Sequence, residues 1–160
     1  MMWAGSAPPT AGKAACSNTM QRRILFLCVH NSARSILAEY LANHYHGERF
    51  AAFSAGLEAR QVNPYAIRAL AEIGIDARAA RSKNVEDFRG AQFDLVVSVC
   101  APSEGQCPVW IGAGARTHLA FEDPARATGA DAEILARFRA TRDEMRARLA
   151  AFLDKEFVVE

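Results

Sequence analysis

The residues most able to do chemistry lie together in Cys28-Val29-His30-Asn31-Ser32-Ala33-Arg34-Ser35, directly after the apolar run Ile24-Leu25-Phe26-Leu27. A cysteine, five residues, then arginine and serine is the pattern of a loop that wraps a tetrahedral oxyanion. In such a loop the backbone N–H groups point inward, a guanidinium clamps two oxygens, and a thiolate sits beneath the central atom. A helix start just after the loop adds unpaired N–H groups and a dipole, and both favour an anion and a thiolate. Cys28 is therefore the candidate nucleophile, and Arg34 the bidentate clamp, a task lysine performs poorly. Ser35 can hydrogen-bond the sulfur and so improve it as a leaving group. Asn31 tolerates left-handed backbone geometry and is read as holding the loop's shape. His30 either tunes the cysteine or points outward, the second being preferred.

Three residues downstream complete the set. Asp123, in Phe121-Glu122-Asp123-Pro124, is the candidate general acid. Protonating a departing oxygen is worth on the order of 10²–10⁴-fold in rate. Glu122 is the fallback donor. Cys100 and Cys107 flank Ala101-Pro102-Ser103-Glu104-Gly105-Gln106, whose Pro, Ser and Gly mark a loop. A thiol there can attack Cys28 once it carries an adduct, then pass the disulfide to its neighbour. Zinc is the competing use of these two cysteines, but a four-ligand site needs further partners and only His118 is near. No metal is therefore expected there. Trp110 is read as packing.

These residues need a scaffold that brings them to one place. Ile24–Val29 is a continuous apolar run, as a buried parallel strand requires. The following helix is predicted to turn Leu37, Tyr40, Leu41 and His44 to one face. Phe50–Ser54 reads as a second strand, closed by Ala55-Gly56. The next helix has Asn63 as N-cap, Pro64 in its first turn, Ile67, Leu70 and Ile73 inward, and Gly74 at its stop. A short helix around Asn84–Phe88 precedes a third strand at Asp94–Val99, and a fourth falls near Arg116–Ala120. The last helix, near Asp131–Leu153, carries Ile134, Phe138, Met145, Leu149 and Phe152 at helical spacing, with its Arg and Glu residues opposite. Strands alternating with helices predict an α/β fold, a parallel sheet of four strands covered on both faces. Ligands bind such sheets beyond the carboxyl ends of the strands. Cys28, Cys100 and Asp123 each follow a strand, so they should converge on one rim.

At 160 residues the chain suits a single domain with a sizeable core. Residues 21–156 are assigned to one catalytic domain. Residues 1–20, rich in Ala, Gly, Pro, Ser and Thr, are read as a flexible extension, and Cys16 within it is given no role. A net charge of +1 offers no reason to expect nucleic acid or a membrane surface as partner. No apolar run can span a bilayer, and no signal peptide is visible. A reduced, cytoplasmic setting follows, where cysteines are more often catalytic than structural. Nothing points to an obligate dimer, so a monomer is expected.

Together these residues resemble the arsenate reductases built on the low-molecular-weight protein tyrosine phosphatase fold, from about Arg23 to Leu153. The Cys28–Ser35 loop carries the likeness. Ser54-Ala55-Gly56, Val62-Asn63-Pro64, Gly74-Ile75-Asp76, Arg81-Ser82-Lys83 and Phe121-Glu122-Asp123-Pro124-Ala125 follow in the family's order. The resemblance implies a three-layer sandwich and a relay of three thiols. Cys28 attacks arsenate, Asp123 protonates the departing oxygen, and Cys100 attacks Cys28 to release arsenite. Cys107 then attacks Cys100, and thioredoxin, or alternatively glutathione with glutaredoxin, reduces the product. No tightly bound cofactor is implied beyond that external thiol. The segment between Cys100 and Cys107 must rearrange and should be the most plastic part of the domain. Some relatives bind potassium beside the loop. Asn31, Glu39 and Ser54 match its ligands, but Lys83 stands near where those members have an acidic one, which argues against a cation here. His118-Leu119-Ala120 also replaces the family's His-Trp-Gly.

Two other functions compete. A tyrosine phosphatase shares fold, loop and acid, but usually places tyrosines after Asp-Pro, where this chain has Ala125-Arg126-Ala127-Thr128. A non-catalytic oxyanion or redox sensor would use the cysteine pair as a switch, and turnover distinguishes it.

Overall fold

In a computed structural model of the chain, residues 21–101 and 114–156 are described. Residues 1–20 with Cys16, residues 102–113 with Pro102, Cys107 and Trp110, and residues 157–160 lie outside the described set. The expected plasticity between Cys100 and Cys107 falls there too.

Four strands, β1 (Arg22–Cys28), β2 (Phe50–Gly56), β3 (Leu95–Ser98) and β4 (Ala115–His118), form one sheet in the order β2-β1-β3-β4. Every pairing is parallel. The chain steps to one side of β1 for β2 and then to the other side for β3, so the end of β1 is the topological switch point, where α/β sheets bind ligands. Helices α1 (Arg34–His46), α2 (Pro64–Ala71) and α3 (Asp131–Glu156), with 3₁₀ turns at Val85–Phe88 and Pro124–Arg126, complete the described elements.

Because strand side chains alternate between faces, β1 feeds two cores. Ile24, Phe26 and Cys28 pack with Leu37, Leu41, Leu70, Phe138, Met145 and Leu149 in the larger core, beneath the three helices. Leu25 and Leu27 join Ala51, Phe53, Phe88, Phe93 and Val96 on the other face. There the rings of Phe53, Phe88 and Phe93 pack against one another at centroid distances of 5.7–6.4 Å. The third layer on this face is thus built from the Val85–Phe88 turn and Phe93.

The predicted elements are all present, with ends shifted by a few residues. The differences have physical causes. His44 is exposed, not turned inward: the buried face of α1 is completed by Ala38 and Ala42, small enough for the helix to lie close on the sheet. Ala66, Ala69 and Leu70 form the fully buried stripe of α2, while Ile67 and Ile73 are half-buried against the same core. On α3 the expected polar face is interrupted by Arg142, which is buried because it donates to the Ala69 carbonyl at 2.8 Å and to Glu72 at 3.0 Å. His118 pairs through Nδ1 with the Ser98 hydroxyl at 2.5 Å. Asn63 caps α2 as predicted, accepting from the Tyr65 N–H with Pro64 in the first turn.

Candidate active site

The loop between β1 and α1 places Cys28 at the bottom of a cavity of about 170 Å³ lined by Cys28, His30, Ser32, Ala33, Arg34, Arg60, Asp123 and Ala125. That is below the roughly 300–1,000 Å³ of sites for drug-sized ligands and suits a small anion. Ala33 occupies the N-cap of α1 and offers no side-chain cap. The first-turn N–H groups therefore lack the side-chain acceptor that ordinary helix starts provide, the condition under which a bound oxyanion serves as the cap.

Two hydrogen-bonding groups converge on sulfur. The Asn31 N–H reaches Cys28 Sγ at 3.2 Å, and Ser35 Oγ lies 2.8 Å from it. Either atom of the second pair can donate, and the surroundings set what the Ser35 hydroxyl has to offer. Asn31 Oδ1 accepts from the Lys83 N–H at 2.6 Å, which fixes the amide so that Nδ2 donates to Ser35 Oγ at 2.7 Å. The hydroxyl has then accepted one bond and keeps its own proton available to the sulfur, which it can donate once Cys28 is a thiolate. Asn31 holds this position at φ 50°, the left-handed conformation expected of it. Asn31 and Ser35 are both fully buried, so the network is dry.

Gly56, at the end of β2, lets the loop sit this close. A Cβ there would lie 2.6 Å from the Asn31 nitrogen, 2.7 Å from the His30 carbonyl carbon and 2.9 Å from the Val29 oxygen. All three are backbone atoms of the loop.

Arg34 is 4% exposed and ties the loop to the segment after β4. It donates to the Phe121 carbonyl at 3.1 Å and stands 3.6 Å from Asp123 Oδ2. Asp123 also caps the Pro124–Arg126 turn through the Ala125 N–H at 2.9 Å, which holds its carboxyl at the cavity wall. Glu122 is exposed and does not line the cavity. His30 stands at the rim, 3.6 Å from Glu58. Arg60, which also binds Glu58 at 3.1 Å, adds a second guanidinium to the wall. Sequence reasoning missed Arg60; its place just beyond the carboxyl end of β2 was the available signal.

Cys100 follows β3, which runs beside β1 with Leu27 opposite Ser98 and the Val99 N–H on the Leu27 carbonyl at 2.8 Å. Neighbouring strands are ~4.8 Å apart, so Cys28 and Cys100 leave adjacent strand ends. Cys100 is fully buried and disulfide-bonded, whereas Cys28 is a free thiol. The disulfide therefore does not include Cys28.

The residues matched to potassium ligands do not fit a cation. Asn31 Oδ1 is taken by the Lys83 N–H, and the Ser54 hydroxyl donates to Glu39 Oε1 at 2.5 Å. The same Glu39 oxygen receives the Lys83 ammonium at 3.4 Å. Burial pushes the Glu39 carboxyl above the usual carboxylate range, against the pull of Lys83 and the Ser54 hydrogen bond. Among the described residues no three His, Cys, Asp or Glu side chains gather as a metal site.

A sheet ordered 2-1-3-4 with a cysteine–arginine anion loop at its switch point defines a phosphatase-type site. The sequence matches the family "Low molecular weight phosphotyrosine protein phosphatase" over residues 23–158, and the chain belongs to that family. An arsenate reductase of Halalkalibacterium halodurans is 40% identical over 131 residues, covering 82% of this chain and 94% of the relative. The structure of an arsenate reductase in the phosphate binding state is similar with a TM-score of 0.68 and 30% identity, covering 84% of this chain and 98% of that one. The thioredoxin-dependent arsenate reductase of Corynebacterium glutamicum gives a TM-score of 0.54 and 25% identity over 92% of this chain and 69% of that one.

Proposed function

We propose that the protein is an arsenate reductase that uses Cys28, Cys100 and Cys107 in turn. The observation that carries this reading is a small anion cavity over the Cys28 thiol, with Cys100 leaving the adjacent strand end in a disulfide that does not include Cys28.

The Cys28 thiolate attacks arsenate, held by Arg34 and the N–H groups of the loop. A sulfur–arsenic bond forms and an oxygen leaves, taking its proton from Asp123. The Cys100 thiolate then attacks Cys28. The sulfur–arsenic bond breaks with its electron pair on arsenic, which leaves as arsenite, and two thiols become one disulfide. The Cys107 thiolate attacks Cys100, frees Cys28, and leaves Cys100–Cys107 for an external dithiol. Free Cys28 beside a disulfide-bonded Cys100 is the pairing this last stage would leave. The name of the Corynebacterium neighbour favours thioredoxin as the dithiol. Such a reductant belongs to a reducing cytoplasm, where the enzyme would act as a monomer with no tightly bound cofactor.

A tyrosine phosphatase would need an aromatic wall, and no Phe, Tyr or Trp lines the cavity among the described residues. The test is one exposure of the reduced protein to arsenate without added reductant, followed by intact mass and free-thiol count. Loss of two thiols per arsenite released supports the relay, and Cys107→Ser should stop at a Cys28–Cys100 disulfide. Retention of every thiol with no arsenite overturns it, and hydrolysis of p-nitrophenyl phosphate would then favour the phosphatase.

A further inference from the structure

We infer that Lys83 is a built-in cation: its ammonium serves Glu39 in place of an alkali-metal ion, and its backbone seats the Asn31–Ser35–Cys28 network. The inference rests on Cys28 as the nucleophile of the proposed reaction.

Lys83 touches every piece that must be held still. Its N–H donates to Asn31 Oδ1, its carbonyl accepts from the Gly56 N–H at 2.9 Å, and its ammonium reaches Glu39 Oε1 and the Arg81 carbonyl at 2.9 Å. One residue thus links the anion loop, the end of β2 and the buried face of α1. The ammonium is its anchor. Glu39 is buried in α1 with Ser54 on the same oxygen, and burial opposes its charge, so its ionised form depends on a positive partner nearby. Lys83, with its side chain 15% exposed, supplies that charge covalently. The anchor holds the segment from Arg81 to Lys83 against α1, and so keeps the Lys83 N–H on Asn31. Asn31 in turn keeps the Ser35 proton available to sulfur. Lys83 is a positioning residue, because it acts on sulfur through Asn31 and Ser35.

A tethered ammonium needs no ion from solution. The wild-type protein should therefore behave alike in potassium and in tetramethylammonium salts at equal ionic strength. Two readouts are measured at one pH: the rate of Cys28 alkylation by iodoacetamide, and kcat/KM for arsenate. Lys83→Met should lower both by roughly tenfold, and Lys83→Arg should recover most of each. Lys83→Asp, which exchanges the ammonium for an oxygen donor, should recover part of the alkylation rate in potassium but not in tetramethylammonium. Should Lys83→Met fail to fold, Lys83→Met with Glu39→Gln removes the stranded charge and should fold with slow alkylation in either salt. The inference is overturned if potassium speeds the wild-type protein several-fold, or if a folded Lys83→Met form keeps wild-type alkylation. Alkylation needs no arsenate. A normal alkylation pattern with no arsenite formed would refute the proposed function alone.

Discussion

Gly56→Ala tests whether the anion loop is seated by close backbone contact. The added Cβ would meet the Asn31 nitrogen at 2.6 Å and must reach an ordinary 3.4 Å, so the loop has to retreat by roughly 0.8 Å. No flexible side chain can absorb the move, because every neighbour is backbone. The Asn31 N–H also donates to Cys28 Sγ, at 3.2 Å, and the retreat would open that contact toward ~4 Å. Overpacking of this kind costs about 1–3 kcal/mol. At about 2 kcal/mol, Tm should fall by roughly 4–8 °C for a chain of this size. Misplacement of a reacting group by ~1 Å costs on the order of 10²-fold, so kcat/KM for arsenate should fall by about 10–10²-fold. Gly74→Ala is the control. Gly74 has φ 86° and nothing within 4 Å of its missing Cβ, so alanine there is strained only by backbone conformation, about 1–2 kcal/mol. It should lower Tm and leave kinetics alone. Steady-state kinetics, Cys28 alkylation and thermal unfolding of both variants settle the matter. Wild-type alkylation and kcat/KM in Gly56→Ala would refute the argument.

Ser35→Ala removes the proton available to the Cys28 thiolate, a hydrogen bond to a charged group worth about 1.5–3 kcal/mol. Cys28 alkylation and kcat/KM should fall roughly 10–10²-fold with the fold intact by circular dichroism. Arg60→Gln should raise KM for arsenate several-fold and flatten the dependence of kcat/KM on ionic strength, since it deletes a cation from the cavity wall. Glu72 joins α2 to α3: hydrogen bonds from Arg139, then Arg142, hold its carboxyl down at about 2. A carboxyl depressed below its unfolded value near 4.5 stabilises the fold above that pH and loses the contribution as pH falls toward 2. Glu72→Gln should therefore melt below the wild type at pH 7, and the gap between the two should close between about pH 4.5 and 2.

Much of the molecule was legible because local chemistry and period coincide. The apolar run at Ile24–Leu27, bounded by a loop signal, reads as a strand buried on both faces and is one, and Asn63-Pro64 marks a helix start through hydrogen bonding and a fixed φ. The Cys28–Ser35 loop announced itself because the spacing of thiol and guanidinium is itself the geometry of anion binding. Asn31 was read correctly from its tolerance of positive φ alone.

What stayed hidden depends on contacts between distant segments. His44 sits at helical spacing from Leu37 and Leu41 yet faces solvent, because periodicity gives a face and not how far the neighbouring layer extends. Arg142 reads as surface until Glu72 and the Ala69 carbonyl from α2 are placed beside it. Arg60 has no motif of its own, and Lys83, although legible in Arg81-Ser82-Lys83 beside the candidate cation ligands, gave no sign of which carboxylate it would meet. Arg60 joins the cavity because β2 ends on the same rim as β1, and Lys83 meets Glu39, 44 residues away, only when its segment crosses the ends of the strands. The sequence by itself determined the Cys28–Ser35 loop and that a strand and a helix would flank it. The tertiary structure decided which charges surround the loop, because long-range pairing brings those charges together and no local spacing encodes it.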